Sequence, residues 1–110
     1  RPRPGASFYS VEQFTERGFQ MPVESGLIPY NLVANGTLQK AGIRGLSRNN
    51  FGELALGDII LSIDGTKMSN SDDLFRFLDK KQIGDTVQVK IYRDKQEITV
   101  PIRLLQSPQS

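Results

Sequence analysis

The 110-residue sequence contains no cysteine and no histidine. Disulfides, thiolate metal sites and cysteine nucleophiles are therefore excluded, and so are a Ser-His-Asp triad and any imidazole ligand. Without cysteine, the redox compartment cannot be read. Tryptophan is also missing. No apolar run approaches the ~20 residues that a membrane-spanning helix needs, and direct membrane insertion is not expected. Charge of one sign is scarce too: 14 Lys and Arg stand against 12 Asp and Glu, a net charge of +2. The small basic excess is spread out, with none of the aromatic-interleaved basic stripes of nucleic-acid binders, so a nucleic-acid partner is not expected. No acidic spacing matches a calcium loop, and the glycines form neither a phosphate loop nor a dinucleotide fingerprint. No cofactor and no metal are expected. There is no signal peptide and no initiator methionine, and the opening Arg1-Pro2-Arg3-Pro4 suggests an excised piece of something larger.

What is present is enough for one domain over residues 1–110, with residues 1–5 as an opening loop or linker and 106–110 as a polar tail. Residues 6–11 read as a short strand. Residues 12–24 are ambiguous, because the turn promised by Glu12, Gln13 and Glu16 is limited by Gly18 and Pro22. Residues 26–33 read as a strand, at an edge or bulged where Pro29 removes a donor. Thr37 is a candidate cap for a short helix over 38–41 that stops at Gly42. Residues 44–53 form a polar loop and 56–63 a mostly apolar strand turned by Asp64-Gly65. A helix is expected over 69–81, capped by Ser71, with Asp72 and Asp73 in its first turn and Leu74, Phe75, Phe77 and Leu78 as its apolar face. Two alternating strands follow, one carrying Val87, Val89 and Ile91, the next Ile98, Val100, Ile102 and Leu104, joined at Asp94-Lys95. The fold class is α+β, a curled and mostly antiparallel sheet capped by two helices.

Lys40-Ala41-Gly42-Ile43, then Leu56-Gly57-Asp58-Ile59-Ile60 running to Asp64-Gly65, then Ser71-Asp72-Asp73-Leu74 and Gly84-Asp85-Thr86-Val87 together resemble a PDZ domain. The order of elements resembles the circularly permuted form found in serine proteases of the HtrA/Deg type. There the carboxylate-binding strand opens the domain and a strand like 98–105 closes it, giving a partly open barrel. The loop over 45–54 resembles that of Deg proteases, and residues 44–56 are an insertion relative to most of the family. The resemblance implies a peptide-binding module with no catalytic residue of its own. It would bind hydrophobic C-termini or unfolded segments by strand addition, and feed or regulate the protease domain of the same parent chain. It also implies an extracytoplasmic setting (periplasm, cell envelope or organelle lumen) and, through the parent, possible homo-oligomers. A different reading makes the domain a docking or oligomerisation element whose groove is filled by residues 12–24 or by the 44–54 loop, with Phe19 and Phe51 as its contacts.

A terminal carboxylate needs converging backbone N–H groups, and a glycine lets the chain bend to present them. The loop matching the family's is Arg3-Pro4-Gly5-Ala6. Pro4 has no N–H, so the donors fall to Gly5, Ala6 and Ser7, with Arg3 or Arg1 adding positive charge. A linker stub is the plain alternative for the same residues. Ala6 and Phe8 are expected to face the groove, with Ser7 and Tyr9 on the other face. Ser71, Phe75 and Leu78, at helical spacing, are expected on the opposite wall, with Leu74 in the core; ordinary core packing is the plain alternative for Phe75 and Leu78. Many animal PDZ domains carry histidine where Ser71 stands, to select Ser or Thr in the peptide, so an apolar peptide tail is expected here. Asp58 and Asp64 read as turn or backbone acceptors.

Overall fold

The computed structural model describes residues 2–106. The expected fraying of the tail falls mostly on residues 107–110, and the expected charge of Arg1 on residue 1; both lie outside the described residues.

The strands are β1 (Ser7–Ser10), β2 (Leu27–Tyr30), β3 (Ser47–Arg48), β4 (Leu54–Ala55), β5 (Ile59–Ile63), β6 (Thr66–Lys67), β7 (Thr86–Arg93) and β8 (Gln96–Arg103). The helices are α1 (Val11–Glu16), α2 (Thr37–Lys40) and α3 (Ser71–Asp79). The main sheet runs β1-β2-β5-β7-β8 with β6 beside β5, and every pairing is antiparallel. Between its two ends only an isolated bridge, Arg3 to Leu105, is made. The sheet is therefore an open barrel. The β7–β8 register sets Val87, Val89 and Ile91 opposite Ile102, Val100 and Ile98, so both alternating sets face one core. Leu27, Ile60, Met68, Leu74 and Leu78 complete that core. A register shift between Ile60 and Ser62 lets Ile60 and Ile63, an odd number apart, both point inward. A smaller cluster of Val11, Ile28 and Ile59 lies apart from it, with Phe14, Leu46, Leu61 and Tyr92 packed around.

Several local expectations are corrected. The ambiguous stretch after β1 holds a third helix, α1, because Ser10 and Gln13 form a reciprocal capping box. The strand expected over 26–33 ends at Tyr30, since Asn31 takes φ 49°. Pro29 lies in the second strand, yet β2 and β5 are in register only at Leu27–Ile60, so no ladder donor is missed. Thr37 does not cap α2; the cap is Gly36, without a side-chain bond. Asn70 rather than Ser71 caps α3, its side chain accepting the Asp73 N–H. The expected 44–53 loop forms, with Leu54 and Ala55, the β3–β4 hairpin, turned by Asn49, whose side chain accepts the N–H groups of Phe51 and Glu53. The strand expected from 56 begins at Ile59, because Gly57 passes so close to the Arg44 and Gly45 carbonyls that a Cβ there would collide with both.

Asp58 is fully buried and does more than accept the Arg44 N–H (2.9 Å). Arg93 grips both its oxygens, Nε to Oδ1 at 2.8 Å and an Nη to Oδ2 at 2.6 Å, and also reaches the Gly42 carbonyl. Asp58, through its side-chain hydrogen bonds, raises the Arg93 guanidinium above its ordinary value. The pair ties the segment after α2 to the end of β7. Among the described residues no buried side-chain polar atom lacks a partner.

Candidate peptide-binding groove

The opening segment is fixed by where its carbonyls go. The Arg3 carbonyl accepts the Thr37 hydroxyl (2.6 Å), the Pro4 carbonyl the Leu38 N–H (3.1 Å), and the Gly5 carbonyl the Val33 N–H (2.8 Å). All three acceptors therefore turn toward one segment, residues 33–38. In a planar trans peptide the C=O and the next N–H point opposite ways, and no cis bond is present among the described residues. The N–H groups of Gly5 and Ala6 are thus turned outward together, and neither has an acceptor among the described residues. Gly5 makes the bend at φ +73°, with the backbone of Gly36 and Thr37 only 3.2 Å from where a Cβ would be.

These amides border a hollow of about 230 Å³ lined by Pro2, Arg3, Pro4, Gly5, Ala6, Val33 and Phe75. Arg3 is exposed at its rim. Val33 is 45% exposed and Phe75 half-buried, so an apolar group entering the hollow would find partners.

Beyond the hollow runs β1. Its one partner among the described strands is β2. Phe8 stands opposite Pro29, whose carbonyl is taken by the Leu46 N–H (2.7 Å) on the far side. Phe8 and Pro29 therefore form the kind of antiparallel pair whose polar groups turn away from each other, leaving the Phe8 N–H and C=O on the outer edge. The next outward N–H, that of Ser10, is consumed by Gln13 Oε1 (2.8 Å) in the capping box. The edge offered to another strand thus spans Ala6 to Tyr9.

Ala6 and Phe8 pack against the main core. Ser7 and Tyr9 lie on the other face, Tyr9 stacked on Tyr30 at 4.2 Å and edge-on to Phe14 at 5.5 Å. The Tyr9 hydroxyl raises the Tyr30 phenol above its ordinary value. On α3, Ser71 and Phe75 are half-buried, whereas Leu78 is 2% exposed. Leu78 joins Phe8, Leu74 and Phe77 around a small apolar cavity of about 20 Å³ beneath the groove. Arg3, Pro4, Gly5, Ala6 and Phe75 thus share one hollow; Phe8 and Leu78 line the separate small cavity, Leu78 as a buried core residue in keeping with plain core packing, and the Ser7 side chain points away. The sequence reading missed Thr37, whose hydroxyl holds the loop; a buried threonine 34 positions from its partner leaves no sequence signal.

The segments expected by the alternative reading to fill the groove, 12–24 and 44–54, send their aromatic and apolar side chains elsewhere. Phe14, Phe19, Leu46, Arg48 and Leu54 gather with Tyr9 around a hollow on the opposite face of β1. Asp64 serves its turn, its carboxylate accepting the Gln88 N–H (2.8 Å). Among the described residues, no group of three or more acidic side chains could hold a metal ion, and no helix is long and apolar enough to cross a membrane.

Compared with known proteins, residues 18–104 match the family model of the PDZ domain. The chain is 38% identical over 84 residues to the chloroplastic Protease Do-like 1 of Arabidopsis thaliana, covering 76% of this chain and 19% of that protein. It is 32% identical over 85 residues to the chloroplastic Protease Do-like 8 of the same plant, covering 77% and 19%. The chain thus spans about a fifth of the length of these curated relatives. Among solved structures it resembles the HtrA-type protease AlgW with a decapeptide, at TM-score 0.70 and 17% identity, over 100% of this chain and 30% of that one. It also resembles an aminopeptidase N family protein from Idiomarina loihiensis, at TM-score 0.68 and 20% identity, over 98% and 14%. At such identities the structural likeness concerns the fold, which hosts unrelated activities.

Proposed function

The chain belongs to the PDZ domain family, and from that premise we propose that it captures the carboxyl-terminal ends of other polypeptides. The guest strand adds to the outer edge of β1. Its terminal carboxylate sits on the N–H groups of Gly5 and Ala6, with Arg3 contributing charge at the rim. Its last side chain enters the hollow beside Val33 and Phe75, which favours an apolar terminal residue. Phe8 and Ser71 border the rest of the groove above the buried Leu78, and the capping box at Ser10 limits the paired length. The observation that carries this reading is the pair of outward amides that have no acceptor, beside a strand edge that has no partner, among the described residues.

The likeness to the Do-like proteases supports a parent chain of the HtrA/Deg type, a serine endopeptidase to which this module presents hydrophobic C-termini or unfolded segments. The module itself performs no cleavage. Among the extracytoplasmic settings expected, the chloroplastic relatives favour an organelle as its compartment.

Isothermal titration with short peptides ending in Val, Ala, Leu or Phe tests the proposal. Saturable binding is expected. Its absence at millimolar peptide, with the fold intact by circular dichroism, would overturn it. One observation favours a second role: Phe51 is 87% exposed at the tip of the β3–β4 hairpin, a position suited to docking on the parent's other domain or on a second copy. If peptide-induced amide shifts are confined to 44–54 and spare 5–9 and 71–78, the hairpin is the binding face instead.

A further inference from the structure

We infer that Thr37 is a positioning residue for carboxylate capture, acting through the Arg3 carbonyl to aim the Gly5 and Ala6 amides. The inference rests on the reading of that loop as the carboxylate site. Of the three donors that turn the loop's carbonyls inward, the Leu38 and Val33 groups belong to the main chain. Thr37 alone contributes a side chain, and it is 3% exposed. Its hydroxyl donates to the Arg3 carbonyl at 2.6 Å and accepts the Leu105 N–H at 3.1 Å. The peptide joining Arg3 to Pro4 carries no N–H, so the Thr37 hydroxyl on its carbonyl is the hydrogen bond that fixes that peptide's orientation. The hydroxyl therefore joins the opening loop, α2 and the segment following β8 at one buried point. Valine has nearly the same shape but no hydroxyl, and would leave a part-buried carbonyl and a part-buried N–H both without this partner, a state the chain relieves by moving. The segment free to move is the loop, since Leu105 continues from a strand paired along its whole length with β7.

A merely structural role would weaken every peptide alike. A positioning role weakens only the part of binding that depends on the terminal carboxylate. Isothermal titration compares the wild-type chain, T37V and T37S with one pentapeptide ending in valine, as free acid and as C-terminal amide. The wild type is expected to prefer the acid by about tenfold, the scale of one hydrogen bond to a charged group. In T37V the preference should fall to about twofold or less, and T37S, which keeps the hydroxyl, should retain most of it. A T37V protein with the wild-type preference overturns the inference while leaving the carboxylate site standing. A wild type that binds acid and amide equally overturns the site itself. Should T37V not fold, the wild type still decides. The Leu105 amide donates to the same hydroxyl, so its NMR signal should move with the acid peptide and stay with the amide; a Leu105 signal indifferent to the acid peptide contradicts the inference.

Discussion

At the scale of single residues, two backbone and side-chain commitments hold most of the account. Gly5 is held at φ +73° against the backbone of Gly36 and Thr37. An L-residue there costs about 1–2 kcal/mol, and the added Cβ pushes the loop away from its anchors. Gly5→Ala is therefore expected to stay folded while losing roughly tenfold affinity for a free-acid peptide, as read by titration calorimetry; unchanged affinity would contradict the assignment of the loop. Asp58 tests stability rather than binding. Its carboxylate is fully buried and held by Arg93 and the Arg44 N–H. Asp58→Ala should cost about 3–5 kcal/mol in urea denaturation, because it leaves a largely buried guanidinium without its partner. Glu97→Ala, which removes an exposed pair with Lys90, should cost less than about 1 kcal/mol. Equal losses for the two would refute the distinction.

At the scale of elements, α3 forms one wall of the groove and its start is electrostatically fixed. The Asp73 carboxylate accepts the Ser69 N–H at 2.9 Å and an Arg76 N–H at 2.6 Å. The Ser69 backbone bond is the largest influence holding its pKa below the ordinary 3.8. Since the folded state favours the ionised form, the contribution to stability is complete well above that value and is lost as the pH falls below it. The stability advantage of the wild type over Asp73→Asn should therefore be present at neutral pH and shrink on acidification below about pH 4. An advantage that stays constant into strong acid would contradict this. The elements most legible in the sequence were those whose cause is local. The β7–β8 hairpin follows from alternation plus Asp94 and Lys95, both at positive φ, and α3 from its apolar face. The α1 helix was obscured by Gly18 and Pro22, although Ser10 and Gln13 carry a capping-box spacing that could have revealed it. The β3–β4 hairpin was obscured because two-residue strands have too little alternation to register, and its turn rests on one Asn side chain.

At the scale of the whole molecule, what could not be read from the sequence is what long-range closure creates. Arg3 lies beside Leu105 through the bridge between the sheet's ends, and Thr37 binds both. Asp58 and Arg93 meet across 35 positions. Neither meeting leaves a local pattern, because each depends on how the open barrel curls. The Pro4-Gly5-Ala6 bend was legible as a candidate through its glycine, but the inward turn of its carbonyls depends on Val33, Thr37 and Leu38, elements placed there by the fold. The groove is thus a property of the assembled sheet rather than of any one segment. Its central claim, that a guest carboxylate rests on the amides of Gly5 and Ala6 while its strand pairs with β1, is tested most directly by ¹⁵N amide NMR titration with an apolar-ended peptide as free acid and as C-terminal amide. The account predicts that the free acid produces its largest shifts at Gly5, Ala6 and Phe8, and that amidation abolishes those at Gly5 and Ala6. Shifts elsewhere with these three amides unmoved, or identical shifts from acid and amide, would contradict it.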